Sequence, residues 1–315
     1  SSDVCSSDLS VFGPEDGWSD WHTLVSAAVG LVLAVIFLVW ESRAKEPIIP
    51  LSLFKNHTFS LTSGLGAVIG AGMFGAIVMI PLYMQVVKGY GATEAGLKLI
   101  PLMLGIVSTS IFSGKAISRT GKYKRFPIAG TAIMSLGILA MATLKSDTPY
   151  WQVAIFAITV GVGLGLSMQT IVIALQNAVD FKDMGIATSS NTFFRSLGSV
   201  FGTALFGSIL TNRLGHYIEA GFKDLATKNP AALAGFDSTQ LAGISNNTSG
   251  ISKLPPAIQT TIIDSFVNAF HVVFLVAAPV TLLGFFLALF LRETPLRTNE
   301  DYRAAKEESA GEALG

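Results

Sequence analysis

Seven stretches of this chain, at 22–40, 59–85, 95–117, 126–144, 151–177, 185–210 and 266–291, run for 19 to 27 residues with few or no charges. A bilayer core about 30 Å thick takes roughly 20 apolar residues as a helix. Inside it the backbone must satisfy its own hydrogen bonds, so only helices and closed barrels span, and these apolar residues come in blocks rather than alternating. Composition agrees: 13% of residues are charged, where a soluble domain carries about a quarter. Mean hydropathy is +0.56. The expected fold is all-α, a polytopic membrane protein with seven transmembrane helices. Glycines within the spans (Gly66, Gly70, Gly72, Gly161, Gly163, Gly165, Gly198 and Gly202) allow close helix approach there.

Residues 114–125, GKAISRTGKYKR, hold Lys115, Arg119, Lys122, Lys124 and Arg125 and no acid. Lys and Arg in short loops mark the cytoplasmic side. The connections on the side of this basic loop, with the C-terminal tail, carry thirteen Lys and Arg; the opposite short loops carry three, Lys88, Lys98 and Lys145. The basic loop and the C-terminus are therefore expected in the cytoplasm, the first span entering from outside a plasma (inner) membrane.

Residues 1–9, SSDVCSSDL, resemble the translation of a sequencing-library adapter and have neither the basic nor the apolar region of a signal peptide. They are expected to be non-native, and the chain the C-terminal part of a longer protein. The only cysteine, Cys5, falls here, so no disulfide or thiol chemistry is expected.

Seven spans with an outside start also describe a seven-helix receptor. The last span has no Lys for a retinal Schiff base, and neither Asp-Arg-Tyr nor Asn-Pro-x-x-Tyr stands where a receptor carries it. His22, His57, His216 and His271 are dispersed, and no catalytic triad or phosphate loop is visible. Neither enzyme activity nor a metal or cofactor is expected, and a net charge of zero gives no footprint for nucleic acid.

The basic stretch has the form G-x-x-x-S-R-x-G-x-x-K-R. It resembles the cytoplasmic signature of the major facilitator superfamily, G-x-x-x-D-[RK]-x-G-[RK]-[RK], in its weaker second-half copy. Gly114, Arg119, Gly121, Lys124 and Arg125 match, while Ser118 stands where the acid usually is, so an Asp–Arg gate cannot form from it. EPIIPLSLF at 46–54, PLYMQ at 81–85, GYGATEAGL at 89–97 with Ile100-Pro101, and NTFFRSLGSVFG at 191–202 are similar to the fourteen-helix drug:proton antiporters of that superfamily. The resemblance covers about residues 21–297. It implies a linker helix and cytoplasmic loop at 10–58, a C-terminal six-helix bundle at 59–291 with an external loop at 211–265, and a charged cytoplasmic tail at 292–315. It implies proton-coupled export of drugs or other lipophilic or cationic compounds by alternating access, or alternatively carriage of a metabolite such as an amino acid or sugar. The partners implied are a small-molecule substrate, membrane lipid, and protons bound by an N-terminal half outside this chain.

No Asp or Glu lies in the middle of a span. Arg195 is the one ionisable residue well inside one, where a charge costs about 2.5–3.5 kcal/mol, so it should face a partner or a wet cavity, or snorkel to the interface. Asn191 lies one turn earlier on the same face. Gln169 shares a face with Gln176. Met73, Met79, Tyr83 and Gln85 run along the second span, with Met103 in the third; polarizable and aromatic faces suit bulky cations, as they also suit lipid contact or a core. These eight residues are the substrate-cavity candidates. Glu94 and Lys98 are spaced as a surface i,i+4 pair. Leu214, Tyr217, Ile218, Phe222 and Leu225 predict a short amphipathic helix on the membrane or over the outer mouth, and the six spans from residue 59 fit two inverted three-helix repeats.

Overall fold

The computed structural model describes residues 51–228 and 254–295, with scattered positions between 25 and 40. The first expected span falls largely outside the described residues, as do residues 1–9 and most of the tail. A short 3-10 turn, Leu51–Lys55, leads into seven helices: α1 (His57–Val86), α2 (Ala92–Leu97), α3 (Ile100–Thr120), α4 (Arg125–Met141), α5 (Tyr150–Ala178), α6 (Met184–Lys228) and α7 (Pro256–Leu289). Five segments, with α2 and α3 taken together, are long and apolar enough to cross a bilayer, and α4 is a shorter apolar helix. A helix stands at each of the six expected spans after the first, so the described residues are all-helical and those of a multi-pass membrane protein.

Local chemistry sets the helix ends. Asn56 caps α1, its Oδ1 accepting from the Thr58 and Phe59 amides at 2.9 and 3.3 Å, and its Nδ2 donates across to the Ala178 carbonyl at the end of α5. α3 stops at Gly121, whose φ of +70° closes the helix at little steric cost while its N–H donates to the Ile117 carbonyl. The spans themselves pack as two intertwined triplets, α1–α3–α4 and α5–α6–α7. α1 packs along α6 as α5 packs along α3, α7 lies against α1 as α4 lies against α5, and α4 also meets α7.

Backbone approach holds these pairs, since lipid gives helices little hydrophobic reason to associate. A Cβ at Gly70 would fall on the Arg195 carbonyl oxygen, and one at Gly198 on the Ala67 carbonyl oxygen, so α1 and α6 touch main chain to main chain. Gly161 and Gly165 bring α5 as close to Leu102 and Ile106 of α3. Between α4 and α7, Ser135 and Thr281 share a buried 2.9 Å hydrogen bond. The core beneath is apolar, with Leu65, Ile69, Met84, Leu164, Phe206, Phe270 and Phe274 almost fully buried.

The segment expected as a separate amphipathic helix is instead the continuation of α6. Nothing between Leu210 and Lys228 breaks the helix, which at 45 residues is about 67 Å long, twice what a bilayer core needs. α7 likewise begins ten residues before the expected span at 266–291, with Ile258 and Ile262 fully buried. Tyr217, Ile218, Phe222 and Leu225 pack against the core cluster that contains these two residues, and Gly221 sits against Thr261. The stripe is therefore spent on α7. Much of the 211–265 stretch expected as a loop is helical at both ends.

Candidate functional site

Two regions gather polar groups, one at each end of the bundle. The first is the end bearing the basic loop. Lys115, Arg119, Lys122 and Arg125 are exposed and Lys124 is half-buried, while Tyr123 between them is fully buried. The Tyr123 hydroxyl donates to the Arg292 carbonyl at 2.9 Å, lies 3.0 Å from the Thr294 hydroxyl and accepts from the Thr294 amide at 3.0 Å. Asn177 at the end of α5 donates to the Thr294 hydroxyl and to the Pro295 carbonyl, each at 2.9 Å. Leu291 is buried with Ile117, Tyr123 and Ala174. Ser118, the residue in the acid's place, bonds back to the Gly114 carbonyl at 2.9 Å within α3.

At the opposite end, three consecutive carbonyls of the α4–α5 connection are each held by a side chain from elsewhere. His271 of α7 bonds the Leu144 carbonyl, Tyr83 of α1 donates to that of Lys145 at 2.7 Å, and Lys88 donates to that of Ser146 at 2.7 Å. Burial holds the Lys88 ammonium below the usual lysine range, and Asp147 opposes that shift. Nearby, Lys98 does pair with Glu94 at 3.5 Å. Its ammonium also lies 4.4 Å from the Tyr90 ring centre and 4.2 Å from that of Tyr150.

The cavity candidates divide by burial. Met79, Tyr83 and Asn191 are interior, and Asn191 donates to the Thr62 carbonyl at 2.8 Å across the α1–α6 contact. Met73, Gln85 and Arg195 are half-buried, while Met103 and Gln169 are exposed, Gln169 lying beside Gly114 of α3. Gln176 reaches the Thr188 hydroxyl of α6 at 3.4 Å. Asn191 and Arg195 do stand together on the face of α6 that meets α1. None of the eight lines either described cleft. One, of about 490 Å³, lies between α4 and α7 among Ala132, Leu136, Leu275, Pro279 and Leu282. The other, of about 400 Å³, lies on the far stretch of α6. Among the described residues no group of His, Cys, Asp or Glu has metal-ligand geometry.

Nothing in the sequence assigned a hydrogen-bond partner to Tyr123, Lys88 or His271. A lone tyrosine inside a run of cations was the one available signal for the first, because a buried aromatic there needs a partner for its hydroxyl.

The family model of the Major Facilitator Superfamily matches residues 11–203. An uncharacterised MFS-type transporter of Mycobacterium tuberculosis is 36% identical over 89% of this chain and 39% of its own length. A multidrug transporter protein of Bacillus subtilis is 32% identical over 97% of this chain and 59% of its own. The chain thus spans between about two fifths and three fifths of these relatives. Among solved structures, a bacterial homologue of the human lysosomal transporter Spinster superposes with a TM-score of 0.54 at 17% identity, over 87% of this chain and 59% of that one, a likeness of fold.

Proposed function

The chain belongs to the Major Facilitator Superfamily, a family of transporters rather than enzymes, and on that premise we propose that it forms one bundle of a secondary exporter of lipophilic or cationic compounds. The observation that carries this is its 32% identity, over 97% of its length, to a protein named as a multidrug transporter. In the proposed mechanism, residues 59–291 move as a unit against a second bundle encoded upstream, opening a central path to alternate sides. The packing supports motion as a unit, because paired helices in main-chain contact have no slack to deform separately. Met73, Gln85, Met103, Gln169 and Arg195 keep surface free to meet a solute, whereas Met79, Tyr83 and Asn191 hold the helices that carry them. Proton coupling falls to carboxylates outside these spans, since none here has an acid at mid-depth. The basic loop and the tail lie on the cytoplasmic side of the plasma membrane.

The test is dye export by the whole gene product, expressed in cells stripped of their own efflux pumps. Quaternary ammonium dyes should leave the cells against their gradient and stop leaving when the proton gradient is dissipated. Indifference to every such dye, together with uptake or release of an amino acid or sugar, would reassign the substrate class. Export that survives loss of the proton gradient would remove the proton from the mechanism.

A further inference from the structure

We propose that the exposed cations of the α3–α4 turn are the docking surface for the chain's own acidic C-terminal segment, residues 296–315. Three observations converge on it. The peptide leaving α7 is held flat against the end of the bundle: Leu291 is buried, Tyr123 bonds Arg292 and Thr294, and Asn177 bonds Thr294 and Pro295. The peptide Arg292–Pro295 therefore lies beside Tyr123, whose sequence neighbours are Lys122 and Lys124.

Among the described residues, the three ion pairs are Lys98–Glu94, Lys223–Glu219 and Lys228–Asp224, and none involves Lys115, Arg119, Lys122, Lys124 or Arg125. The segment that follows carries Glu300, Asp301, Glu307, Glu308 and Glu312 against Arg297, Arg303 and Lys306. Glu300 and Asp301 stand five and six residues beyond the anchor, a reach of about 17–20 Å when extended.

Exposed ion pairs are individually weak. Tethering changes the balance, because a short linker keeps the acids at an effective concentration on the order of millimolar. Several pairs then act together, and their attraction falls with salt as the screening length drops below about 8 Å. Docking would brace the turn that joins α3 to α4. The rival occupant of these cations is the anionic headgroup layer of the membrane.

The experiment is a disulfide cross-link in the whole protein, with every native cysteine replaced by serine and Lys122→Cys paired with Asp301→Cys, in nanodiscs of phosphatidylcholine. We expect cross-linking at low salt to run at least ten-fold faster than in a partner protein carrying Glu300→Gln, Glu307→Gln, Glu308→Gln and Glu312→Gln, and to slow in 0.5 M salt. That partner alters no residue of the bundle, so a folding defect cannot imitate the result. Equal rates with acidic and neutralised segments would overturn the proposal. Replacing a third of the lipid by phosphatidylglycerol supplies the second arm. An unchanged rate supports the segment as occupant, and collapse of the rate assigns the cations to lipid and overturns it. None of these readings depends on export.

Discussion

Asn191 of α6 donates its side-chain amide to the Thr62 carbonyl of α1 at 2.8 Å, with both residues buried. The amide fits because Gly66 leaves the space, a Cβ there lying 3.0 Å from Asn191 Nδ2. Interhelical hydrogen bonds in membranes contribute about 0.6 kcal/mol on average and up to about 1.7. Asn191→Ala should lower the thermal midpoint of the purified protein by a few degrees. Asn191→Leu should lower it further by pressing on Gly66. A midpoint unchanged by the alanine would mean the bond contributes nothing.

Gly198 and Gly207 lie nine residues apart on the same helix and face opposite circumstances. A Cβ at Gly198 would overlap the Ala67 backbone, while one at Gly207 would meet nothing within 4 Å. Overpacking a tight contact costs about 1–3 kcal/mol or more, whereas Gly→Ala in an unobstructed helix gains up to about 1. Gly198→Leu should abolish monodisperse elution in detergent, and Gly207→Ala should preserve or raise stability. Equal tolerance of the two would contradict the main-chain contact of α1 and α6.

Spans were legible because the bilayer imposes one length and one composition on each, which is why five of the six helices stand within about ten residues of the expected bounds, α6 alone running on to Lys228. The glycines also announced close packing, though not which helices would meet. The run from Thr211 to Lys228 was misplaced because an apolar stripe on a helix has the same period whether it faces lipid or another helix. The polar contacts were the least visible. Tyr123, His271 and Lys88 each bond a main-chain carbonyl 58 to 169 residues away in sequence, and a carbonyl carries no mark of its neighbours in the residue code. Asn191 shows the same ambiguity in reverse, since a mid-span amide suits a wet cavity and a helix contact equally.

The connection between α4 and α5 depends on three donors at successive carbonyls, and Tyr83 is the most deeply buried of them. Tyr83→Phe keeps the ring and its edge contact with Phe270, 5.8 Å between centres, and removes only the hydroxyl. An intramolecular hydrogen bond contributes about 0.5–1.5 kcal/mol net, more when a buried acceptor is left bare. Amide exchange in residues 142–149 should therefore rise several-fold, with exchange in α6 unchanged. Uniform acceleration across the bundle would instead mark Tyr83 as a general packing residue.

Lys98 marks the break between α2 and α3, where its ammonium sits among Glu94, Tyr90 and Tyr150 and its carbonyl accepts from the Tyr150 hydroxyl at 3.2 Å. Cation–π contacts contribute about 0.5–1 kcal/mol at exposed sites and about 2 when desolvated, and an exposed i,i+4 ion pair contributes less. The ranking of variants separates these forces. Glu94→Gln should barely change stability and Tyr150→Phe should cost little, because the ring face remains. Lys98→Met and Tyr150→Leu should each cost more, by about 1 kcal/mol. Combining those two should cost less than their sum, since both remove the same contact. Full additivity of the pair in thermal unfolding would show that the ring and the ammonium act independently, and the latch at the α2–α3 break would be set by the backbone alone.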